Sequence, residues 1–153
     1  MEYMGGKELE DTLIFQDYIT DLLYKTGWVL NCYSSRKYNI EKGESVARIE
    51  IKQDKKIKET GNIYIETYER QKSNKGNYIE SGILRNDNTV FYIIGDYDRL
   101  FMFSKKQIQT IIKTGNFKEV KTETSMGYLI PISYIEKHSS LIILEWRDGE
   151  EVK

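Results

Sequence analysis

The stretch SVARIEIKQDKKIKETGNIYIETYER, residues 45–70, decides the fold, because it holds two runs of alternating residues separated by a short polar link. In the first, Val46, Ala47, Ile49 and Ile51 are apolar, while Arg48, Glu50, Lys52 and Asp54 share the parity opposite to that of Ala47, Ile49 and Ile51. In the second, Ile63 and Ile65 occupy one face and Tyr64, Glu66, Tyr68 and Arg70 the other. Alternation of this kind is the period of a β-strand. The link KKIKETG ends in Thr60-Gly61, a plausible turn, so the expectation is a hairpin folded about residue 60. Such a hairpin sets Asp54 opposite Glu66, and directly opposed residues have Cβ atoms about 4.5–5.5 Å apart. Two carboxylates that close repel when both are ionised, a conflict relieved by a bound cation or a shared proton. A metal site is therefore one reading of the pair. In the other, Asp54 ends a strand among lysines and Glu66 is a cross-strand partner of Lys55 or Lys56.

Working outward, LEDTLIFQDYITDLLYKTGW places Leu9, Leu13, Phe15, Ile19, Leu22 and Leu23 mostly three and four apart, with Gly27 as a stop. This is an amphipathic helix whose polar face carries Glu8, Asp11, Asp17 and Asp21. WVLNCY, residues 28–33, reads as a short strand and SSRKYNIEKGE as a loop. Downstream of the central pair, TVFYIIGD and RLFMFS are two strands joined by a tight turn at GDYD. SKKQIQTIIKTGN is a second helix, with Ser104 as its N-cap and Gly115 as its stop. MGYLIPI and SLIILEW complete the chain as strands, Pro131 suggesting a sheet edge. The order gives an α+β (mixed α/β) class, with a central mixed sheet containing the antiparallel hairpin and two flanking helices.

Length and composition bound the rest. The 153 residues, 39% of them hydrophobic, suffice for one core, so a single domain is expected, with a core over 8–114 and a C-terminal β extension over 120–147. With 23 Lys and Arg against 24 Asp and Glu, no general basic coat is available to wrap nucleic acid. The charge is uneven, however. Residues 52–75 hold seven cations (Lys52, Lys55, Lys56, Lys58, Arg70, Lys72, Lys75) against four acids, the local setting a phosphate contact needs. A solvated lysine run is the common explanation of such a stretch.

Other chemistries find little support. One Cys and one His build neither a disulfide nor a zinc set. Cys32 reads as a small strand hydrophobe and His138 as a surface residue. GGK near the start lacks the strand and glycine spacing of a phosphate loop. No apolar run approaches a membrane span and the N-terminus carries no h-region, so no membrane association and a cytoplasmic location are expected. The twelve tyrosines fit strand packing, though aromatic rings also stack on bases.

The motif order resembles the PD-(D/E)XK nuclease superfamily, the restriction-endonuclease-like fold. A helix is followed by a strand ending in Asp54, a strand centred on hydrophobic-Glu66, the SGI of residues 81–83, an apolar strand and a second helix; the resemblance covers roughly residues 8–114. It implies that Asp54 and Glu66 hold Mg²⁺ (or Mn²⁺), with Glu44 of GES as a further carboxylate. It also implies metal-dependent hydrolysis of phosphodiester bonds in nucleic acid, DNA in first place. Hard divalent cations choose oxygen ligands, which suits an all-carboxylate set. The sequence departs from the family where a Lys belongs two residues after the acid, since Tyr68 stands there. Lys52, on the strand of Asp54, and Lys72, just beyond Glu66, are the candidate replacements; Glu50 shares the face of Asp54 but is the weaker ligand, set to pair with Lys52. The resemblance also admits an inactive module of the same fold that only binds nucleic acid or a protein. An exposed sheet edge is compatible with a homodimer.

Overall fold

The structure, a computed structural model, describes residues 6–25, 27, 37, 41–42, 45–70, 76–137 and 142–145. Two four-stranded sheets and four α-helices make up the described residues. In the first sheet β1 (Ile49–Gln53) runs parallel to β4 (Phe91–Gly95), which pairs antiparallel with β5 (Arg99–Ser104) and, beyond it, β8 (Ile142–Glu145). The second is antiparallel throughout, in the order β3 (Ile79–Glu80), β2 (Asn62–Glu69), β7 (Ser125–Pro131), β6 (Lys118–Lys121).

Helix α1 (Gly6–Lys25) covers one face of the first sheet. Its stripe of Phe15, Ile19, Leu22 and Leu23 packs on Ile49, Ile51, Ile93 and Leu100. The opposite face of that sheet carries Tyr92, Ile94, Phe101 and Phe103, which meet Ile63, Ile65 and Ile130 of the second sheet. A strand covered on both sides reads as a continuous apolar run, and Tyr92, Ile93 and Ile94 are accordingly all buried. Helices α3 (Lys105–Thr114) and α4 (Ile132–Lys137) contribute Ile108 and Ile135 to the same core. Each fully buried side chain of this size contributes roughly 1.5–3 kcal/mol. Ser104 caps α3 as expected, accepting the Gln107 amide at 3.0 Å. The turn at GDYD is held by Asp96, whose Oδ1 accepts the amides of Asp98 and Arg99, both at 2.9 Å.

Three sequence expectations change. The hairpin about residue 60 does not form: Ile57–Thr60 makes a short helix, α2, closed by Gly61 at φ 64°, and the chain leaves it for the other sheet. Asp54 and Glu66 are therefore not cross-strand partners, and Glu66 pairs with Gly127 of β7. The reason is Ile57, 2% exposed, whose burial between the sheets draws the link into the core. Second, one central sheet flanked by two helices becomes two sheets, with a helix outside the first. Third, Pro131 marks no edge: β7 lies between β2 and β6, and the proline is its last residue, where α4 begins. The expected strand at residues 28–33, with Cys32, and the histidine at 138 lie outside the described residues.

Candidate functional site

Where β1, the outermost strand of the first sheet among the described residues, approaches β2 of the second, a cleft of about 760 Å³ opens, with α1 as its third wall. The register of β1 on β4 sets Glu50 beside Tyr92 and Lys52 beside Ile94, so both polar residues share the face directed at the second sheet. Their neighbours Ile49 and Ile51 turn the other way, into α1. Strand alternation thus delivers an acid and a lysine, two residues apart, to the same cleft. The Lys52 ammonium lies 2.9 Å from Glu50 Oε1, with the Glu50 side chain 11% exposed and that of Lys52 36%.

Asp54 follows the last residue of β1, anchored by its own amide, which donates to the Gly95 carbonyl at 2.7 Å. Its carboxylate joins three segments: Oδ1 accepts the Lys56 amide and Oδ2 the Tyr64 amide, both at 3.0 Å. Glu66 is oriented from the third side. The hydroxyl of Ser81, a buried residue, donates to Glu66 Oε1 at 2.7 Å, and the Ser81 amide donates to the Thr67 carbonyl at 2.9 Å. Gly82, at φ 49°, makes this approach possible, since a Cβ there would stand 2.4 Å from the Glu66 carbonyl oxygen.

Tyr64 lies beside these carboxylates and donates its hydroxyl to Ser125 Oγ at 2.9 Å. Burial pushes the phenol above its ordinary value; the Ser125 hydrogen bond works against this, and the Glu66 charge adds to it. It stays protonated at neutral pH and so serves as a donor, not a base. On the outer rim the Lys55 ammonium, 2.7 Å from Asp11 Oδ2, holds the Asp11 carboxyl below the usual range by hydrogen bond and charge.

Of the residues expected to act, Asp54, Glu66 and Lys52 line this one cleft, whereas Lys72 and Glu44 lie outside the described residues. Tyr68 follows a register shift in β2, pairs with Met126 and Glu80, and is not among the lining residues. Glu50 gains most from the structure. Read as the weaker ligand, it proves deeply placed, and Glu50-Ile51-Lys52 is itself an acid followed two residues later by lysine. The triplet stands in the sequence at 50–52, where the chain has lysine after the acid, whereas Glu66 is followed at the same spacing by Tyr68. The lysine run is also less free than its sequence suggests. Lys52, Lys55 and Lys58 bond Glu50, Asp11 and Asp98, so that among the described residues the cleft is lined by four carboxylates (Asp11, Glu50, Asp54, Glu66) and two ammonium groups.

Among the described residues no group of three or more His, Cys, Asp or Glu side chains stands ready to enclose a metal ion. Glu50, Asp54 and Glu66 share a cleft and an all-oxygen chemistry without forming a closed cage. No described helix is long and apolar enough to cross a membrane. Comparison of the chain with protein-family models, with curated proteins and with solved structures gave no match.

Proposed function

We propose that the chain is a metal-dependent nuclease of restriction-endonuclease-like type, acting in the cytoplasm on phosphodiester bonds of DNA. The observation that carries this reading is the convergence of Glu50, Lys52, Asp54 and Glu66 on one cleft, from two strands of different sheets. Mg²⁺ is commonly held by one or two carboxylates completed by substrate phosphate and water, so an open set of acids suits it better than a closed cage would. Glu50 and Glu66 are the residues that would hold the ion, with Asp54 beside them. Bound there, the ion supplies Lewis-acid polarisation of the phosphodiester and a water of lowered pKa. Lys52 takes the place of the lysine missing after Glu66: released from Glu50, its ammonium would meet the phosphate and donate to it. Ser81 fixes the orientation of Glu66, and Tyr64 supplies a neutral hydroxyl at the wall.

The test is calorimetric titration of Mn²⁺ into the wild type, Glu50→Gln and Glu66→Gln, with cleavage of mixed DNA substrates by the same samples. Binding that weakens in both variants, together with cleavage lost in both and in Lys52→Met, is the expected result. A wild type that binds no Mn²⁺ and cuts nothing would overturn the proposal.

A second reading is an inactive module of the same fold that binds nucleic acid or a protein. It is favoured by one observation: both oxygens of Asp54 already accept backbone amides, a structural use of the residue that the resemblance assigns to the metal. Metal-dependent DNA binding without cleavage would support it.

A further inference from the structure

We infer, resting on the nuclease reading above, that the cleft takes single-stranded nucleic acid and excludes the intact duplex, with nucleobases laid on exposed leucines of α1 and the sugar-phosphate chain following Glu50, Lys52 and Glu66. Leu9 and Leu13, one helical turn apart, are 43% and 52% exposed and form the α1 wall of the cleft with Thr12 and Gln16. They stand apart from the buried stripe of Phe15, Ile19, Leu22 and Leu23, so packing of the helix on its sheet does not account for them. A helix face turned to water is ordinarily polar.

The two walls therefore ask for different chemistry in one ligand, an apolar surface on the helix side and an anion with its cation on the strand side. A nucleotide with an unpaired base has both, side by side. In a duplex the base faces are stacked inside and only their edges reach the grooves, so nothing apolar of that size is offered. Flipped-out and single-stranded bases, by contrast, are regularly held between apolar side chains. Depth points the same way. With 11% of its side chain exposed, Glu50 meets a phosphate only when the phosphate enters between α1 and β2, and a stiff double helix cannot bend one strand into that space. Because four carboxylates and two ammonium groups line it among the described residues, entry of a polyanion also calls for a divalent cation.

The experiment measures fluorescence anisotropy of a short labelled single strand, a hairpin duplex of the same sequence and an abasic strand, each with and without Ca²⁺. Proteins are the wild type, Glu66→Gln and the double variant Leu9→Ser/Leu13→Ser, whose circular dichroism and sedimentation are recorded alongside. The expected result is Ca²⁺-dependent binding of the single strand, none of the duplex, and about tenfold weaker binding of the abasic strand by the wild type. The leucine variant should lose about the same factor on the single strand and nothing on the abasic one. Duplex binding as tight as single-strand binding overturns the inference, as does a wild type indifferent to the bases. If the leucine change instead dissociates a dimer and leaves single-strand binding intact, the apolar wall belongs to a second copy and the inference falls. Ca²⁺-dependent duplex binding that Glu66→Gln abolishes would leave the nuclease reading standing without the single-strand preference. No Ca²⁺-dependent binding of any nucleic acid would remove both.

Discussion

Oδ2 of Asp54, just past the end of β1, accepts the backbone amide of Tyr64 in β2 at 3.0 Å, so one carboxylate clamps the two sheets at the mouth of the cleft. Its other oxygen closes the turn into α2 through the Lys56 amide. Asp54 thus has a duty in the fold apart from any metal, and loss of activity on changing it would have two explanations.

Asp54→Asn separates them when set beside Glu66→Gln. Asparagine keeps one oxygen but turns an N–H₂ group toward one of the two amides it must satisfy. Hydrogen bonds to a charged acceptor contribute about 1.5–3 kcal/mol each, so Asp54→Asn should lower unfolding stability by roughly that amount. Glu66→Gln retains an oxygen for the Ser81 hydroxyl and should lie within about 1 kcal/mol of the wild type. Urea denaturation of both variants checks this; equal stability of Asp54→Asn and the wild type would show that the clamp carries no weight.

Away from the cleft, Lys105 of α3 reaches Asp87 Oδ1 at 2.8 Å and also donates to the Arg85 carbonyl. Burial by itself would raise the Asp87 carboxyl, but the Lys105 ammonium and the Thr89 amide outweigh it and hold the group below its ordinary 3.8. A depressed folded value means that the unfolded chain binds the proton first. The stabilisation is then complete above the unfolded value and disappears as the pH falls below 3.8 and through the folded value. Lys105→Met leaves a carboxylate with a 3% exposed side chain without its nearer cation, Arg85 Nε standing farther off at 4.0 Å, at a cost of up to about 3–5 kcal/mol near neutrality. Because burial without Lys105 pushes the Asp87 carboxyl up, acid unfolding curves should show that penalty beginning to shrink above pH 3.8 and continuing to fall as the pH drops through the depressed value of the wild type, as protonation removes the buried charge; a penalty independent of pH would exclude the ion pair as its source.

The strands and helices of the described residues that the sequence foreshadows are legible because period and caps act locally: Phe15 to Leu23 at helical spacing, the alternation of Ile49 to Lys52, Ser104 before α3. What failed was pairing. Local alternation does not say which strand lies beside which, and Ile57, an apolar residue in a polar link, was the one sign that KKIKETG folds inward rather than around. Because the hairpin does not form, Asp54 and Glu66 are not opposed across strands, though both side chains line one cleft. Glu50 is inconspicuous in the sequence for a related reason. Its pairing with Lys52 reads as an ordinary surface contact until the parallel partner β4 and the second sheet bury it.

Gly82 offers a test of how tightly Glu66 is held. Its φ of 49° lies in the left-handed region, and an added Cβ would approach the Glu66 carbonyl oxygen to 2.4 Å. Backbone cannot yield as a flexible side chain does, so Gly82→Ala should cost at least about 1–3 kcal/mol and move Ser81 away from the Glu66 carboxylate. If Glu66 holds the ion, Mn²⁺ affinity falls with it. A variant as stable as the wild type would mean that the turn at Ser81 relaxes freely.

Glu50 and Lys52 are joined by an ion pair of 2.9 Å, which would have to open if either were to meet a bound ion or a phosphate. With its side chain only 11% exposed, Glu50 relies on Lys52 for compensation, while Lys52 at 36% can turn to water. Removal of the lysine should therefore be the costlier single change. Lys52→Met strands a largely buried carboxylate and is expected to destabilise the fold by about 1–3 kcal/mol. Glu50→Gln leaves an ammonium that solvent can reach, and should cost under about 1 kcal/mol. The double variant should recover most of the loss, giving a coupling of about 1 kcal/mol or more in a double-mutant cycle followed by urea denaturation. Mn²⁺ changes the order. If Glu50 turns from Lys52 toward a bound ion, saturating Mn²⁺ should raise the stability of the wild type and of Lys52→Met, the latter more, since the ion replaces the missing cation. Equal stabilisation of Glu50→Gln by Mn²⁺ would show that the ion does not use Glu50, and the acid-x-lysine triplet of β1 would then be a structural pair alone.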